Sequence, residues 1–171
     1  MNETFPKNHI ESLWAPWRVE YFQAEHKISG DFLSVAAAST DDAVHLVVSR
    51  RPTAFLIMNK YPYSAGHLMA VPNRKVCKMA EITEDEILDL WKLSIHAQRL
   101  LDKAVHAHGF NIGWNLGSAS GAGVDDHIHI HIVPRWSGDS NFMAVIGGIR
   151  IIPEGLTPLY QRLKQIESEL A

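Results

Sequence analysis

Asp126-His-Ile-His-Ile-His-Ile-Val-Pro-Arg-Trp136 puts a histidine at every second position and an isoleucine after each one. Strict alternation from His127 to Ile132 has the period of a strand, not of a helix. On a strand the isoleucines share one face and the imidazoles the other. The first face suits a hydrophobic core, and the second presents a row of bases and nucleophiles.

Working outward, the glycine-rich Gly117-Ser-Ala-Ser-Gly-Ala-Gly123 joins this strand to Phe110-Asn-Ile-Gly-Trp-Asn-Leu116, which reads as a further strand. Before it, Thr83 and Glu86 have the spacing of a capping box. Ile87, Leu90, Trp91, Ile95, Leu101 and Val105 then recur at helical spacing, and Gly109 supplies a stop. Upstream, Ala43–Ser49 and Thr53–Asn59 are β-prone runs joined by Arg50-Arg51-Pro52, a connection of hairpin length. The turn-rich Lys60-Tyr-Pro-Tyr-Ser-Ala-Gly66 leads to a third strand, His67–Val71, ended by Pro72. A last helix is expected from Thr157-Pro158, with Leu159, Leu163, Ile166 and Leu170 as its apolar stripe. Strands with hairpin-length joins, one long helix, then two more strands predict an α+β fold with a mainly antiparallel sheet and a C-terminal helix. Residues 1–30 read as an arm whose Leu13-Trp-Ala-Pro-Trp-Arg18 packs on the domain or on a partner subunit, and residues 31–171 as a single domain.

The 171 residues are 46% apolar and 20% charged with a formal net charge of −3, which gives no electrostatic case for nucleic acid or an anionic membrane. No apolar run reaches the roughly 18 residues of a membrane span, and the first residues lack a signal-peptide pattern. Cys77 is the sole cysteine, so no intrachain disulfide can form. A cytoplasmic protein is the expectation.

Three readings of the histidine row compete. It can be a half-exposed strand on which histidines alternate by chance. It can be a metal site, but same-face residues sit about 6.6 Å apart and the outer pair about 13 Å apart. Zinc–nitrogen bonds of about 2.1 Å let two of the three converge on one ion, never all three on a straight strand. Or it can be a nucleophilic site for phosphorus: a neutral imidazole attacks through one nitrogen while the other donates its proton to a neighbour that fixes the tautomer. The small residues just upstream suit the last reading, because they let main-chain amides approach phosphate oxygens.

His127-Ile-His-Ile-His-Ile-Val133 resembles the histidine-triad (HIT) signature, His-φ-His-φ-His-φ-φ, of nucleotide hydrolases and transferases. The likeness extends to Asn59-Lys-Tyr-Pro-Tyr-Ser-Ala-Gly-His-Leu-Met-Ala-Val-Pro72, to Phe110–Gly117, to Val133-Pro-Arg-Trp136, to Gly138–Met143 and to Leu13–Arg18. Together these are similar to the bacterial diadenosine tetraphosphate phosphorylase, or ATP adenylyltransferase, branch. The resemblance implies a HIT-like fold and a covalent adenylyl-histidine on His129, with His127 and His131 flanking it and His67 completing the cluster. It implies Asn59 at the ribose, Asn115 near the phosphates and Trp136 on the substrate side. It also implies an adenine nucleotide or dinucleoside polyphosphate substrate and a homodimer. Inorganic phosphate is the expected acceptor; with water the same site is a hydrolase of dinucleoside polyphosphates or AMP phosphoramidates.

Two departures from the family pattern matter. Where many relatives carry Gln or Ser before the triad, this chain has Ala122-Gly123-Val124, so main-chain amides of Gly121, Ala122 and Gly123 are expected to meet the phosphates. Many bacterial relatives also hold a structural zinc through two cysteines, a histidine and the first triad histidine. Asp31, Ser34 and Lys75 stand at three of those places. No structural zinc and no obligatory metal are expected, any Mg²⁺ arriving on the nucleotide, and His127 then serves the active site.

Overall fold

The five strands β1 (Val47–Arg50), β2 (Ala54–Met58), β3 (Leu68–Pro72), β4 (Gly109–Trp114) and β5 (Ile130–Arg135) form one antiparallel sheet in the order β1-β2-β3-β5-β4. This computed structural model describes residues 32–120, 126–139, 152 and 154–170. The arm of residues 1–30, Asp31 and the loop positions Gly121, Ala122 and Gly123 lie outside them. The first two strands are the expected hairpin, and the expected α+β class holds.

The alternation sorts side chains as read. Ile130 and Ile132 face a core with Leu56, Leu68 and Ala70, closed by the long helix α3 (Glu84–Val105) and the last helix α4 (Leu156–Leu170). Each fully buried leucine there, Leu90, Leu93, Leu100 and Leu163 among them, contributes about 1.5–3 kcal/mol of transfer free energy. On the opposite face Phe55, Ile57, Met69 and Val71 pack against Leu33 and Ala36 of α1 (Phe32–Ala38). His131 pairs with Met69, so the histidine row belongs to this second face, beside the surface that α1 covers.

Four differences from the sequence reading have local causes. The run from Ala43 is not strand at its start: Asp42–His45 is a short helix, α2, because the Asp41 carboxylate accepts from Val44 N–H and Leu46 turns left-handed at φ 59°. The ladder of β5 begins only at Ile130, so His127 and His129 precede it although the alternation continues through them. Pro158 falls third in α4, which starts at Leu156. The apolar stripe of α3 is also rotated from expectation. Leu90, Leu93, Ala97, Leu100, Leu101 and Ala104 are buried, whereas Ile87, Trp91 and Ile95 are exposed. The helix carries apolar residues on two sides, and only one side meets the sheet.

The Thr83 capping box forms as expected: its hydroxyl accepts from Glu86 N–H while the Glu86 carboxylate accepts from Thr83 N–H. At the far end of the sheet α4 covers the outer edge of β1. Tyr160 O–H donates to Val47 O and Lys164 Nζ to Val48 O, which occupies carbonyls that an edge strand otherwise exposes.

Candidate active site

His67 enters the site from a turn that the sequence makes unavoidable. Gly66 sits at φ +80°, and a Cβ there would lie 2.7 Å from a methyl group of Leu101. Only glycine satisfies both the backbone and the space. The next residue is His67, almost fully buried, with its ring against that of His131 at a centroid distance of 5.0 Å. His129 meets His131 edge to face at 4.6 Å and 79°. Three of the four expected histidines thus share one cluster.

The proton positions follow from groups that can only donate or only accept. The carbonyl of His127 lies 2.9 Å from His129 Nδ1, so His129 donates from Nδ1 and its lone pair is on Nε2. Tyr63 N–H donates to His67 Nδ1 at 3.1 Å, and the Asn59 Nδ2 amide donates to the same atom at 3.2 Å. His67 therefore carries its proton on Nε2 and donates it to His131 Nδ1 at 2.9 Å. His131 is then protonated on Nε2, which lies 3.2 Å from Asn115 Nδ2; with the Asn115 amide turned end for end, its Oδ1 accepts that N–H. The result is a relay of fixed tautomers running from a main-chain amide to an N–H aimed at Asn115.

Burial keeps this relay neutral. Desolvation, then the charges His131 and His129 would carry, lower the His67 pKa to about 3. Desolvation, then His129, lower that of His131 to about 4. Next to His131 on β4 stands Gly113, where an added Cβ would meet nothing within 4 Å, so space is open beside the imidazole.

His127 is placed elsewhere. Its fully buried ring donates from Nε2 to Pro72 O at 2.9 Å, leaving Nδ1 to accept from the Ser34 hydroxyl at 3.4 Å. It thus ties α1 to the end of β3, and it reaches the cluster through its carbonyl rather than its ring. The family likeness implies a ring flanking the nucleophile; here the ring bonds Pro72 and Ser34. Asn59 is part-buried, with its Oδ1 accepting from Tyr61 N–H at 2.8 Å and its amide on His67. Trp136 is not brought to the cluster: its indole N–H donates to Val105 O at the end of α3, 3.0 Å away. Its position follows the helix end, whereas the family likeness implies a substrate-side ring.

Residues 41–138 match the HIT domain family. The AP-4-A phosphorylase of Mycobacterium tuberculosis is 36% identical over 156 residues, covering 86% of this chain and 80% of that protein. The chain belongs to the HIT family. The asymmetrical bis(5'-nucleosyl)-tetraphosphatase of Schizosaccharomyces pombe is 31% identical over 54% of this chain and 50% of its own length. Among solved structures, a Zn-bound histidine triad family protein from Mycobacterium smegmatis superposes with a TM-score of 0.64 at 22% identity, over 81% of this chain and 93% of that one. At that identity the likeness is one of fold.

The HIT signature accounts for His129 and His131 and the Asn59–Pro72 likeness for His67, but neither assigns a role to Tyr63. That ring stacks on His67 at 4.7 Å and 29°, and leans over His131 at 5.6 Å and 41°. The only signal in the sequence is its position four residues before His67. Where HIT relatives were expected to hold zinc, Ser34 bonds His127, and the Lys75 ammonium pairs with Asp126 at 2.5 Å. Among the described residues no group of His, Cys, Asp and Glu is arranged to hold a metal ion.

Proposed function

We propose that this HIT protein is a nucleotidyltransferase that cleaves diadenosine tetraphosphate, or a related adenosine polyphosphate, through a covalent adenylyl-histidine with inorganic phosphate as acceptor. The observation that carries it is the His129 imidazole, whose Nδ1–H is committed to the His127 carbonyl so that Nε2 bears the lone pair. Nε2 attacks the α-phosphorus, the N–P bond forms as the P–O bond to the polyphosphate breaks, and ATP leaves. A phosphate oxygen then attacks the same phosphorus, the N–P bond breaks, and ADP departs with His129 restored. Little else is asked of the protein beyond orientation and charge stabilisation.

With substrate bound, Asn115 yields the His131 Nε2–H to the departing oxygen, which accepts it. A neutral ring supplies no surplus proton, which suits a polyphosphate that leaves as a stable anion and suits an amine poorly. This favours polyphosphates over AMP phosphoramidates. Similarity to a mycobacterial AP-4-A phosphorylase supports phosphate as acceptor. Similarity to a yeast tetraphosphatase keeps water as the alternative, at the same histidine. Asn59 is assigned to the ribose as well as to His67. Asn115 and the amides of Gly121, Ala122 and Gly123 are assigned to the phosphates. No structural zinc is assigned, since a lysine ammonium beside Asp126 opposes a dication there and Ser34 already engages His127. Mg²⁺ enters only on the nucleotide.

A homodimer is part of this reading. α4 covers one flank of the sheet, while on the other the outer strand β4 has Ile112 exposed, and α3 turns Ile87, Leu88, Trp91 and Ile95 outward. Ile112 pairs with the core residue Ile132, so it faces the helical side of the sheet, as this flank of α3 does. A second copy presenting the same two surfaces fits such a self-complementary patch. No helix among the described residues is long and apolar enough to cross a membrane. With one cysteine in the sequence, we assign the protein to the cytoplasm.

The test is product analysis with and without phosphate. ADP released only when phosphate is present supports the phosphorylase, and phosphate-independent AMP supports the hydrolase. His129→Ala should abolish turnover and the adenylyl adduct seen by mass spectrometry, with nucleotide affinity largely retained. Unchanged turnover in that variant removes the enzyme reading.

A further inference from the structure

Tyr63 lies between the histidine pair and solvent. It is 38% exposed, whereas His67 is 1% and His131 8% exposed. Two separate parts of the residue act on the pair. Its main-chain N–H occupies His67 Nδ1, and its ring covers His67 face to face while leaning over His131. The turn that carries it is tightly bonded: His67 N–H donates to Ser64 O, Asn59 N–H to His67 O and Tyr61 N–H to Asn59 Oδ1. Pro62, just before Tyr63, fixes its own φ and restricts Tyr61, which stiffens the turn.

We propose that Tyr63 is a positioning residue of the reaction, whose amide selects the His67 tautomer and whose ring shields the His67–His131 relay from water so that His131 keeps its Nε2–H directed at the leaving oxygen. This rests on the adenylyl-transfer reading for what the relay is used for, though the tautomer lock is a property of the protein without substrate.

The physical case is that a hydrogen bond between two neutral rings survives only where water does not compete for both ends. The turn amides fix one end of the relay. The ring removes the solvent that would let His67 or His131 take up a proton. If His131 became an imidazolium, the Nδ1 lone pair that accepts from His67 would be lost. If His67 did, its Nδ1 could no longer accept from Tyr63 and Asn59, and the tautomer lock that sets the direction of the His131 N–H would be released. The titratable groups facing His67 are His131 and His129 of the triad segment and Tyr63 of the turn. His131 is faced by His67, His129 and Tyr63, with the uncharged Asn115 at its other nitrogen. Among the described residues no carboxylate is in contact with His67 or His131 that would hold a protonated ring in place. A tyrosine face does attract imidazolium, an effect opposite in sign. At a partly exposed ring it is the smaller of the two, because burial already carries both histidines far below their ordinary value.

The experiment compares Tyr63→Ala and Tyr63→Phe in the full chain, reading histidine tautomers and titration by imidazole nitrogen NMR without substrate, and turnover separately. Tyr63→Ala is expected to bring the His67 and His131 titrations up toward the ordinary histidine range and to mix the tautomers of His131 at neutral pH. It should lower kcat by roughly tenfold or more while KM stays within about twofold. Tyr63→Phe keeps the ring and should restore wild-type nitrogen shifts and most of kcat. Unchanged nitrogen shifts in a folded Tyr63→Ala protein overturn the proposal, and so does a Phe variant as impaired as the Ala one. If the Ala variant does not fold, Tyr63→Gln is read in the same way, since a partly exposed site accepts a polar chain. Failure of the wild type to form an adduct at His129 sinks the adenylyl-transfer reading instead, and leaves the NMR result to judge Tyr63 alone.

Discussion

A buried imidazole that stays neutral has consequences for stability. In the unfolded chain His67 and His131 bind protons below about pH 6.5. In the native protein their pKa values are lowered to about 3 and about 4. The unfolded state therefore binds more protons as the pH drops. The stability these rings contribute is fully present above about pH 6.5 and is lost as the pH falls from there through the folded values. His67→Gln removes one of the two sites. Its urea midpoint should fall less steeply than that of the wild type between neutral pH and about pH 5; equal slopes would mean that His67 is not held neutral. The same scale separates His127 from its neighbours. His127→Ala leaves Pro72 O without its buried donor and should cost about 1–3 kcal/mol of unfolding free energy. The His129 adduct should still form, because the main-chain carbonyl that orients His129 survives the substitution. Loss of the adduct in a protein that remains folded would make the His127 ring part of the chemistry.

Among the elements, the turn before β3 and the helix beneath it are fitted to one another. Gly66→Ala must both hold a left-handed backbone and displace Leu101 from the α3 core, so it should destabilise by roughly 1–3 kcal/mol. It should also reduce kcat, since His67 is the next residue. Stability loss with unchanged turnover would show that the turn can move without carrying His67. How far the elements were legible in sequence depends on the range of their determinants. The capping box of Thr83 and Glu86 was readable because both hydrogen bonds close within three residues. The alternation of the histidine strand was readable because sidedness follows from its period. The buried face of α3 was not, since helical spacing fits Ile87, Trp91 and Ile95 as well as Leu93, Ala97 and Leu100. Only the sheet and α4 choose between these sides.

At the scale of the molecule, among the described residues α4 covers one flank of the sheet and the other leaves apolar side chains exposed. Trp91, Ile95 and Ile112 are the exposed residues that a dimer would cover. Trp91→Glu combined with Ile112→Lys should convert a dimer to monomers in sedimentation measurements, with a near-native circular dichroism spectrum. An unchanged sedimentation coefficient would remove this surface from consideration. A dimer through this surface would also give the outward apolar side of α3 a partner, because hydrophobic periodicity does not distinguish burial inside a chain from burial between chains.

The sequence by itself determined the α+β class, the sidedness of the histidine strand and the helix start at Thr83, all set by neighbours a few residues away. The clustering of His67 with His129 and His131 was implied by the family likeness alone. Only the tertiary structure decided which nitrogen of each ring holds the proton. That choice depends on single donors and acceptors brought from distant places, such as His67 set against His131 from 64 residues away. It also moved His127 to a supporting position and Trp136 to the end of α3, and it revealed Tyr63 over the relay. Periodicity fixes which face a side chain takes. The partner it meets there is fixed by how the strands and turns pack.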